Sequence, residues 1–454
     1  MTVTDRAPLC AAATPIAPLP VPSSRTSAPR GGCTLRMTSA SSHVSLCGVK
    51  TPGRVMIRMG AGYASRAPAA NVTLEPTIDI SVPTLSARTL REVFDAPRAP
   101  TIGVEEELML LHPGTLDLAP ECEPVLATLA GDTRFKPELI AAQIETVTPP
   151  RRTVGDAAQV LREARRDLLG ALDGRALAAG AGVHPFTAAL GELHGAERYN
   201  ELADEFASIA RRQLVFGLHV HVAVGGAERA VKVHDALRSY LPELAGLAAN
   251  APFHEGRDSG LASVRPTIAA MLPRQGVPPS LGSWGAFERA LSWGESAGVL
   301  PVKRRWWWEL RLHPAFGTIE VRVGDTQTTV DETAAYAAVV HALVAWLAER
   351  VAAGEELPVA PTWRIAENRW CAARHGLDAS FADLVTGERE PLRARLERLF
   401  DELAPVAARL GCAAELEHAR ALAAGPGGAA RQRAVAERDG LEGLVAWLAG
   451  QLLE

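Results

Sequence analysis

Two runs of alternating apolar and polar residues, at 306–313 and 318–325, flank a short stretch that contains proline and glycine. A period of two is typical of a β-strand with one buried face, so the pattern predicts a β-hairpin. The second run places Ile319, Val321 and Val323 on its apolar face. Opposite the apolar positions, the two runs carry four charged residues: Glu309, Arg311, Glu320 and Arg322.

The charged face of this hairpin has two interpretations. It is either a solvated outer face held by cross-strand ion pairs or a surface that binds a polar or ionic ligand. Charged side chains that are removed from water need partners, so the neighbouring strands decide between the two.

Three further stretches, at 101–111, 141–148 and 217–224, alternate in the same way and predict short strands. In the first of them Glu106 points with the apolar side chains, whereas its two sequence neighbours point to the other face. The polar faces of the three strands carry these groups: Glu105, Glu107, Gln143, Glu145, His219 and His221.

These polar groups favour a metal or phosphate site. Two carboxylates about 7 Å apart on one side of a strand repel each other unless a cation lies between them. Mg²⁺ and Mn²⁺ prefer such oxygen ligands, so Glu105 and Glu107 predict a metal site, with Glu145 as a third carboxylate. A buried neutral imidazole needs a partner for each nitrogen, so His219 and His221 favour the same role. An edge strand protected by charge is the alternative for the first stretch.

Longer segments with helical periodicity predict an outer layer. The segment 153–173 repeats apolar residues at helical spacing behind a cap formed by Thr153 and Asp156. The combination predicts an α+β fold in which amphipathic helices pack on the apolar face of a sheet. Further helices are predicted at 197–214, 331–352, 366–375 and within 392–454, and a buried strand at 176–186.

A loop with arginines, and the lack of known nucleotide-binding motifs, indicate how a nucleotide would be bound. The stretch 250–266 holds Arg257, Asp258 and Arg265 among small and turn-forming residues, which predicts arginine clamps for a substrate. The sequence has no GxxxxGK[ST], GxGxxG, HExxH or GxSxG motif, which excludes P-loop, dinucleotide-fold, zincin and hydrolase-elbow proteins. A bound nucleotide would depend on metal ions and arginines.

The composition is that of an ordinary globular protein, with 454 residues, 47% of them hydrophobic and 22% charged. A net charge of −5 argues against nucleic acid as a partner. No stretch approaches the ~18 consecutive apolar residues of a membrane helix, so no membrane partner is expected. Six cysteines without CxxC pairing indicate reduced thiols and a cytoplasmic location.

Residues 1–95 differ from the rest of the chain. Up to Ala70 there are eight basic residues and one acid, with proline, serine, threonine, glycine and alanine between them. Such a segment buries too little apolar surface to offset its ordering entropy, so we expect a disordered extension. A transit-peptide-like leader and a translation start assigned too early are both compatible with this composition. A single folded domain is expected over 96–454.

Five motifs stand in a characteristic order along the folded part: GVEEEL, IETVT, GLHVHV, GRDSGLAS and RLHPAFGTIEVRVGD. Together they resemble the type 2 glutamate–cysteine ligase family, also called carboxylate–amine ligases, over about 99–452. That family looks like a relative of glutamine synthetase and the guanidino kinases. The resemblance therefore implies a curved, mostly antiparallel sheet that forms a funnel-shaped active site, with helices packed outside.

The resemblance also implies a reaction. ATP would phosphorylate a carboxylate, such as the γ-carboxylate of glutamate, and the amine of cysteine or another small amine would then displace phosphate from the acyl phosphate. Mg²⁺ or Mn²⁺ would neutralise the negative charge that both steps gather, and arginines would stabilise the transferred phosphoryl group. The amine cannot be read from the motifs.

The same resemblance assigns roles to individual residues. Catalytic roles fall to Arg311, Glu320 and Arg322, and contacts with the nucleotide or substrate to His221, Arg257, Arg311 and Arg322. The metal ligands it implies are Glu105, Glu107, Glu145, His219 and Glu320. We expect neutralisation of Glu320 to impair function far more than folding, because the carboxylates repel one another without the metal.

Two other functions remain open. A phosphotransferase on the same scaffold would need one acceptor, and a nucleotide-binding protein without catalysis would release no ADP. The expected partners are small amino acids and amines, and the helical C-terminal third is expected to supply packing and contacts for a homodimer.

Overall fold

A computed structural model describes residues 87–298, 306–313 and 315–454. All of these residues belong to one compact unit. The expectation of disorder for residues 1–86 lies outside the described residues.

The described strands form one large sheet and two small hairpins. Their bounds are β1 Ile102–Leu111, β2 Phe135–Pro137, β3 Gln143–Val147, β4 Leu177–Ala179, β5 Gly217–Ala223, β6 Phe253–His254, β7 Arg257–Asp258, β8 Leu310–His313, β9 Thr318–Asp325, β10 Ser380–Ala382 and β11 Arg389–Pro391. The large sheet has the order β2-β3-β1-β5-β9-β8, with β4 paired to the far end of β1, and all its pairings are antiparallel. The predicted antiparallel sheet of an α+β fold is therefore confirmed, whereas the funnel shape stays a prediction.

Thirteen α-helices surround the sheet in the described part of the chain. Their bounds are α1 Ala87–Asp95, α2 Cys122–Thr128, α3 Val154–Leu172, α4 Glu197–Phe206, α5 Ala227–Leu237, α6 Leu241–Leu247, α7 Arg265–Ala269, α8 Trp284–Ser296, α9 Val330–Ala352, α10 Thr362–His375, α11 Leu392–Leu410, α12 Ala413–Ala424 and α13 Gly428–Gly450. The predicted cap of α3 is present, because Thr153 Oγ1 accepts a hydrogen bond from the Asp156 N–H at 3.1 Å.

The apolar face of the sheet packs against α5 and α9 in the largest hydrophobic core. Alternation in β5 and β9 places Leu218, Val220, Ile319 and Val321 in this core, each fully buried. Helix α9 is buried on nearly all sides, which its apolar composition demands. By length and composition it is the one described helix that could cross a membrane, but 72% of its most apolar window is buried inside the protein.

Glu106 points into the apolar side of the sheet, as its place in the alternation predicts. It is fully buried, and Arg165 of α3 donates to both its carboxylate oxygens, at 2.8 and 3.1 Å. Thr333 of α9 donates a further hydrogen bond at 2.6 Å. Arg165 also donates to the carbonyls of Thr328 and Leu452. This network ties the middle of β1 to α3, to the start of α9 and to the C-terminal segment.

Three sequence-based boundaries need correction. The folded chain begins before residue 96, because α1 buries Leu90 and Phe94 in the largest core. The strand expected at 176–186 is limited to the three residues of β4. The helix expected at 197–214 ends at Phe206 and continues as a 3₁₀ helix over Ala207–Arg212.

Candidate active site

The strand register brings the predicted polar groups into one row across the sheet. Glu107 of β1 lies opposite Glu145 of β3, and Glu105 lies opposite His219 of β5. On the other edge of β5, His221 lies opposite a carboxylate, that of Glu320 in β9. Side chains that face each other across antiparallel strands share one side of the sheet, so these groups converge.

Glu105 lies between the two histidines. His219 Nδ1 is 3.2 Å from Glu105 Oε2, and His221 Nε2 is 3.3 Å from Glu105 Oε1. The second nitrogen of His221 pairs with Thr318 Oγ1 at 3.0 Å. His221 Nε2 also lies 3.8 Å from Glu320 Oε1, yet it is buried and has no hydrogen bond of acceptable geometry.

A glycine allows Glu107 to approach β5. The backbone N–H of Gly217 donates a short hydrogen bond to Glu107 Oε2. A Cβ atom at this position would lie 3.0 Å from His219 Nε2 and 3.3 Å from both Arg265 Nη1 and Glu107 Oε2. Any side chain larger than hydrogen would therefore push these three groups apart.

Two arginines neutralise Glu320. Arg311 Nε and Nη2 both donate to its carboxylate, the latter at 3.0 Å, and Arg322 Nη1 donates to Oε1. Arg322 Nη1 also lies 3.3 Å from His219 Nδ1, so it links the carboxylate to the histidines. The expectation that Glu320 repels its neighbours without a metal is not what the structure shows, since this fully buried carboxylate is already paired.

The resulting electrostatics divides the row in two. Burial and the neighbouring carboxylate of Glu105 raise the pKa of Glu145, and burial raises the pKa of Glu107 to about 7. Burial acts in the same direction on Glu320, but Arg311 and Arg322 outweigh it and hold its pKa well below the ordinary value. The carboxylates near β3 are thus only partly compensated, whereas the carboxylate in β9 is paired with two arginines.

The pKa values of the two histidines are shifted in opposite directions. Burial and the positive charge of Arg322 lower the pKa of His219 to about 4, so its imidazole is neutral and can act as a ligand. Burial also opposes a charge on His221, but the carboxylates of Glu105 and Glu320 raise its pKa above the ordinary value.

The donor set fits divalent cations. Three groups of ligand atoms each lie within 4.8 Å of one another: Glu105 with Glu145 and His219, Glu105 with His221 and Glu320, and Glu107 with Glu138 and Glu145. Carboxylate oxygens with one imidazole are ligands that Mg²⁺ and Mn²⁺ accept. The buried His221 Nε2 lies near two carboxylates without a well-formed hydrogen bond, which leaves it available to a bound ligand. Glu138 was not among the predicted ligands.

The structure brings Arg265, and not Arg257, to this row. Arg257 is exposed in β7, in a hairpin apart from the large sheet, and no hydrogen bond or ion pair within the described residues joins it to the row. Arg265 starts α7 and is held by Asp325 at 2.8 Å and by the carbonyls of Arg322 and Gly324. Its remaining Nη1 lies toward Glu107 and His219, as the contacts around Gly217 show.

Two cavities flank the row. The large cavity has a volume of about 740 Å³, reaches Glu105 and His221, and is lined by several basic side chains. The small cavity, about 160 Å³, reaches Glu107, His219 and Arg322. The basic residues of the large cavity are Arg98, Arg134, Lys136 and Arg151.

Glu309 has a different place from the other charges of the hairpin. It precedes β8, lines the small cavity and accepts hydrogen bonds from Arg369 of α10 at 3.0 Å. Neither Arg369 nor Glu138 belongs to an alternating run, so periodicity gave no signal for them. Arg265 was indicated only as a member of the same arginine-bearing stretch as Arg257.

Known proteins of one family are similar to this chain in sequence. The family described as Glutamate-cysteine ligase family 2 (GCS2) matches residues 101–446. A relative from Rubrobacter xylanophilus, named for glutamate–cysteine ligase 2-3, is 40% identical over 78% of this chain and 98% of its own length. A Thermobifida fusca relative, named for glutamate–cysteine ligase 2, is 35% identical over 77% of this chain and 89% of its own.

Two solved structures share the fold at low identity. Glutamate–cysteine ligase from Francisella tularensis, in complex with AMP, matches with a TM-score of 0.58 and 13% identity over 79% of this chain and 93% of that one. A bifunctional glutathione synthetase from Pasteurella multocida matches with a TM-score of 0.61 and 15% identity, over 80% of this chain and 53% of that one. The family match covers the whole row of site residues, and the chain belongs to glutamate–cysteine ligase family 2, a family of ligases.

Proposed function

We propose that the protein is an ATP-dependent carboxylate–amine ligase, which activates a carboxylate such as the γ-carboxylate of glutamate as an acyl phosphate and joins it to a small amine. The observation that carries the proposal is the row of carboxylates and imidazoles between two cavities. An amide does not form readily from a carboxylate and an amine in water, so the carboxylate has to be activated before the amine attacks.

The two cavities suit two kinds of ligand. The large cavity is within the ~300–1,000 Å³ of typical ligand sites, and its arginines and lysine suit the phosphates of a nucleotide. The small cavity has room for a molecule of amino-acid size, and it meets the row at Arg322 and Arg265. Phosphoryl transfer across the row would bring the two ligands together.

The side chains of this chain have distinct tasks. Glu105, Glu107, Glu145, His219 and Glu320 would hold Mg²⁺ or Mn²⁺, which neutralises negative charge on the phosphates when bound. Arg311 and Arg322 orient the phosphoryl group and stabilise its charge, and His221 donates to a phosphate oxygen. Arg265 replaces Arg257 as the arginine that faces a substrate carboxylate.

The test is ADP release by the full chain supplied with ATP, Mg²⁺, glutamate and a pool of amines, with products identified by mass spectrometry. A ligase releases ADP only when both carboxylate and amine are present. ADP release with a single acceptor would instead identify a phosphotransferase, and nucleotide binding without ADP release would identify a binding protein.

A further inference from the structure

Two chemically different sets of side chains line the small cavity. The charged and titratable set contains Glu107, Glu138, His219, Arg265, Glu309 and Arg322. The apolar set, called the apolar wall below, contains four large side chains: Leu202, Phe206, Leu272 and Trp307.

These four side chains pack into none of the hydrophobic cores of the described residues. Phe206 and Trp307 contact each other edge to face, with ring centroids 5.7 Å apart, and both stay partly exposed. The guanidinium of Arg274 lies 5.7 Å from the centre of the Trp307 ring and supports it from outside. Large apolar side chains that line an open cavity and belong to no core can bind an apolar ligand.

We infer that the small cavity selects a substrate with an apolar or aromatic body, whose reacting group contacts the charged side chains of the lining. This inference rests on the proposed ligase function and narrows its substrate class. A carboxylate of that substrate would be held by Arg322 and Arg265, and the body of the same molecule would cover Phe206 and Trp307. Glutamate and cysteine are too polar or too small to cover that wall.

The apolar body can belong to the acid or to the amine, because both reacting groups have to meet at the row. The shared chemistry is a charged or polar head joined to an apolar body of about the size of leucine or phenylalanine. Binding such a body removes apolar surface from water at about 25 cal/mol per Å², which glutamate cannot match. One extra methylene in an apolar pocket changes selectivity by about 10–200-fold.

The experiment uses the full chain with ATP and Mg²⁺ in two arms. The first arm fixes glutamate and compares leucine, phenylalanine and phenylethylamine with cysteine and glycine as amines. The second fixes cysteine and compares 3-phenylpropionate and 4-methylpentanoate with glutamate as acids. We expect kcat/KM at least tenfold higher for the apolar members in one arm, and that arm identifies the source of the apolar body.

A matched pair of variants tests the wall. Trp307→Ala should raise KM for the apolar substrate at least tenfold, whereas Trp363→Ala, in an exposed position on α10, should change nothing. Calorimetric binding of phenylalanine, leucine and the two apolar acids to the full chain is measured in parallel. If an apolar ligand binds the wild type and Trp363→Ala but not Trp307→Ala, the result supports the inference even where turnover is absent.

Different results would overturn the apolar substrate class and the ligase function. ADP release that prefers glutamate with cysteine or glycine, and is unchanged in Trp307→Ala, would overturn the apolar substrate class and leave the ligase intact. Absence of ADP release from every pair would overturn the ligase. Absence of binding by every apolar ligand, with or without ATP, would overturn the selectivity of the wall.

Discussion

In the metal-free protein, Glu107 should make a contribution to stability that falls as the pH rises from 5 to 8. Burial raises the pKa of Glu107 from 4.5 to about 7, and its side chain is only 12% exposed. The folded state therefore holds a proton that the unfolded state has already released, and the stability due to this group falls as the pH rises through 7. A change in pKa from 4.5 to about 7 corresponds to on the order of 3 kcal/mol between pH 4 and pH 8.

The assay is urea unfolding at pH 5, 6, 7 and 8 in the presence of EDTA. Glu107→Gln should lack the fall in stability that this carboxyl causes, because the amide does not titrate. His221 has a raised pKa, so the stability due to its charge is also lost as the pH rises, but His221 is present in both proteins. The difference between wild type and Glu107→Gln isolates the carboxylate.

Mg²⁺ provides the second half of the test. A cation competes with the proton for Glu107, so Mg²⁺ should raise the melting temperature of wild type more at pH 8 than at pH 5.5. Glu107→Gln should respond less at both pH values, and Glu367→Gln, exposed on α10, should behave as wild type. Parallel loss of stability in wild type and Glu107→Gln between pH 5 and 8 would refute the reasoning.

Three further perturbations have defined outcomes. Arg165→Met should lower the free energy of unfolding by about 3–5 kcal/mol, because it leaves Glu106 buried and unpaired. In urea titrations, the double variant Glu106→Leu/Arg165→Met should regain most of the lost free energy, because no buried charge remains. Glu320→Gln should slow ADP release by about 10² or more, and it should also lower the melting temperature, since two guanidiniums lose their buried partner. Removal of α1 should also destabilise the protein, because Leu90 and Phe94 lose their core contacts. In urea titrations, the free energy of unfolding of a chain that begins at residue 96 should be lower by about 3 kcal/mol or more than that of a chain that begins at residue 87. Equal free energies would show that α1 contributes nothing.

Alternation along the strands predicted which residues share a face, and the structure confirms the outcome for β1, β3, β5 and the paired part of the hairpin, β8 and β9; the first arm was predicted from residue 306 but begins at Leu310. Period-two patterning is a local property, so it does not depend on the rest of the chain. Glu106 illustrates the strength of this reasoning, because its isolated place on the apolar face correctly predicted an orientation opposite to Glu105 and Glu107.

The partners of each group could not be predicted from the same pattern. Glu106 meets Arg165, and Glu107 meets Gly217, only because strands distant in sequence are neighbours in the sheet. Loops carry no period, so nothing in the sequence distinguished Arg265, which lies at the site, from Arg257, which does not.

The expectation that Glu320 is repelled by its neighbours without a metal was wrong for a related reason. The actual partners of each carboxylate show where a cation would stabilise the site. Sequence reasoning assigned the same repulsion to every carboxylate of the row. Strand pairing instead places Arg311 and Arg322 on Glu320, and it places Glu107 opposite another carboxylate, Glu145. Lys136, 3.4 Å from Glu145 but itself 44% exposed, compensates only part of that charge. Acid repulsion is therefore concentrated between β1 and β3, where Glu138 adds a further oxygen ligand, and a divalent cation would stabilise the folded protein most at that end of the row.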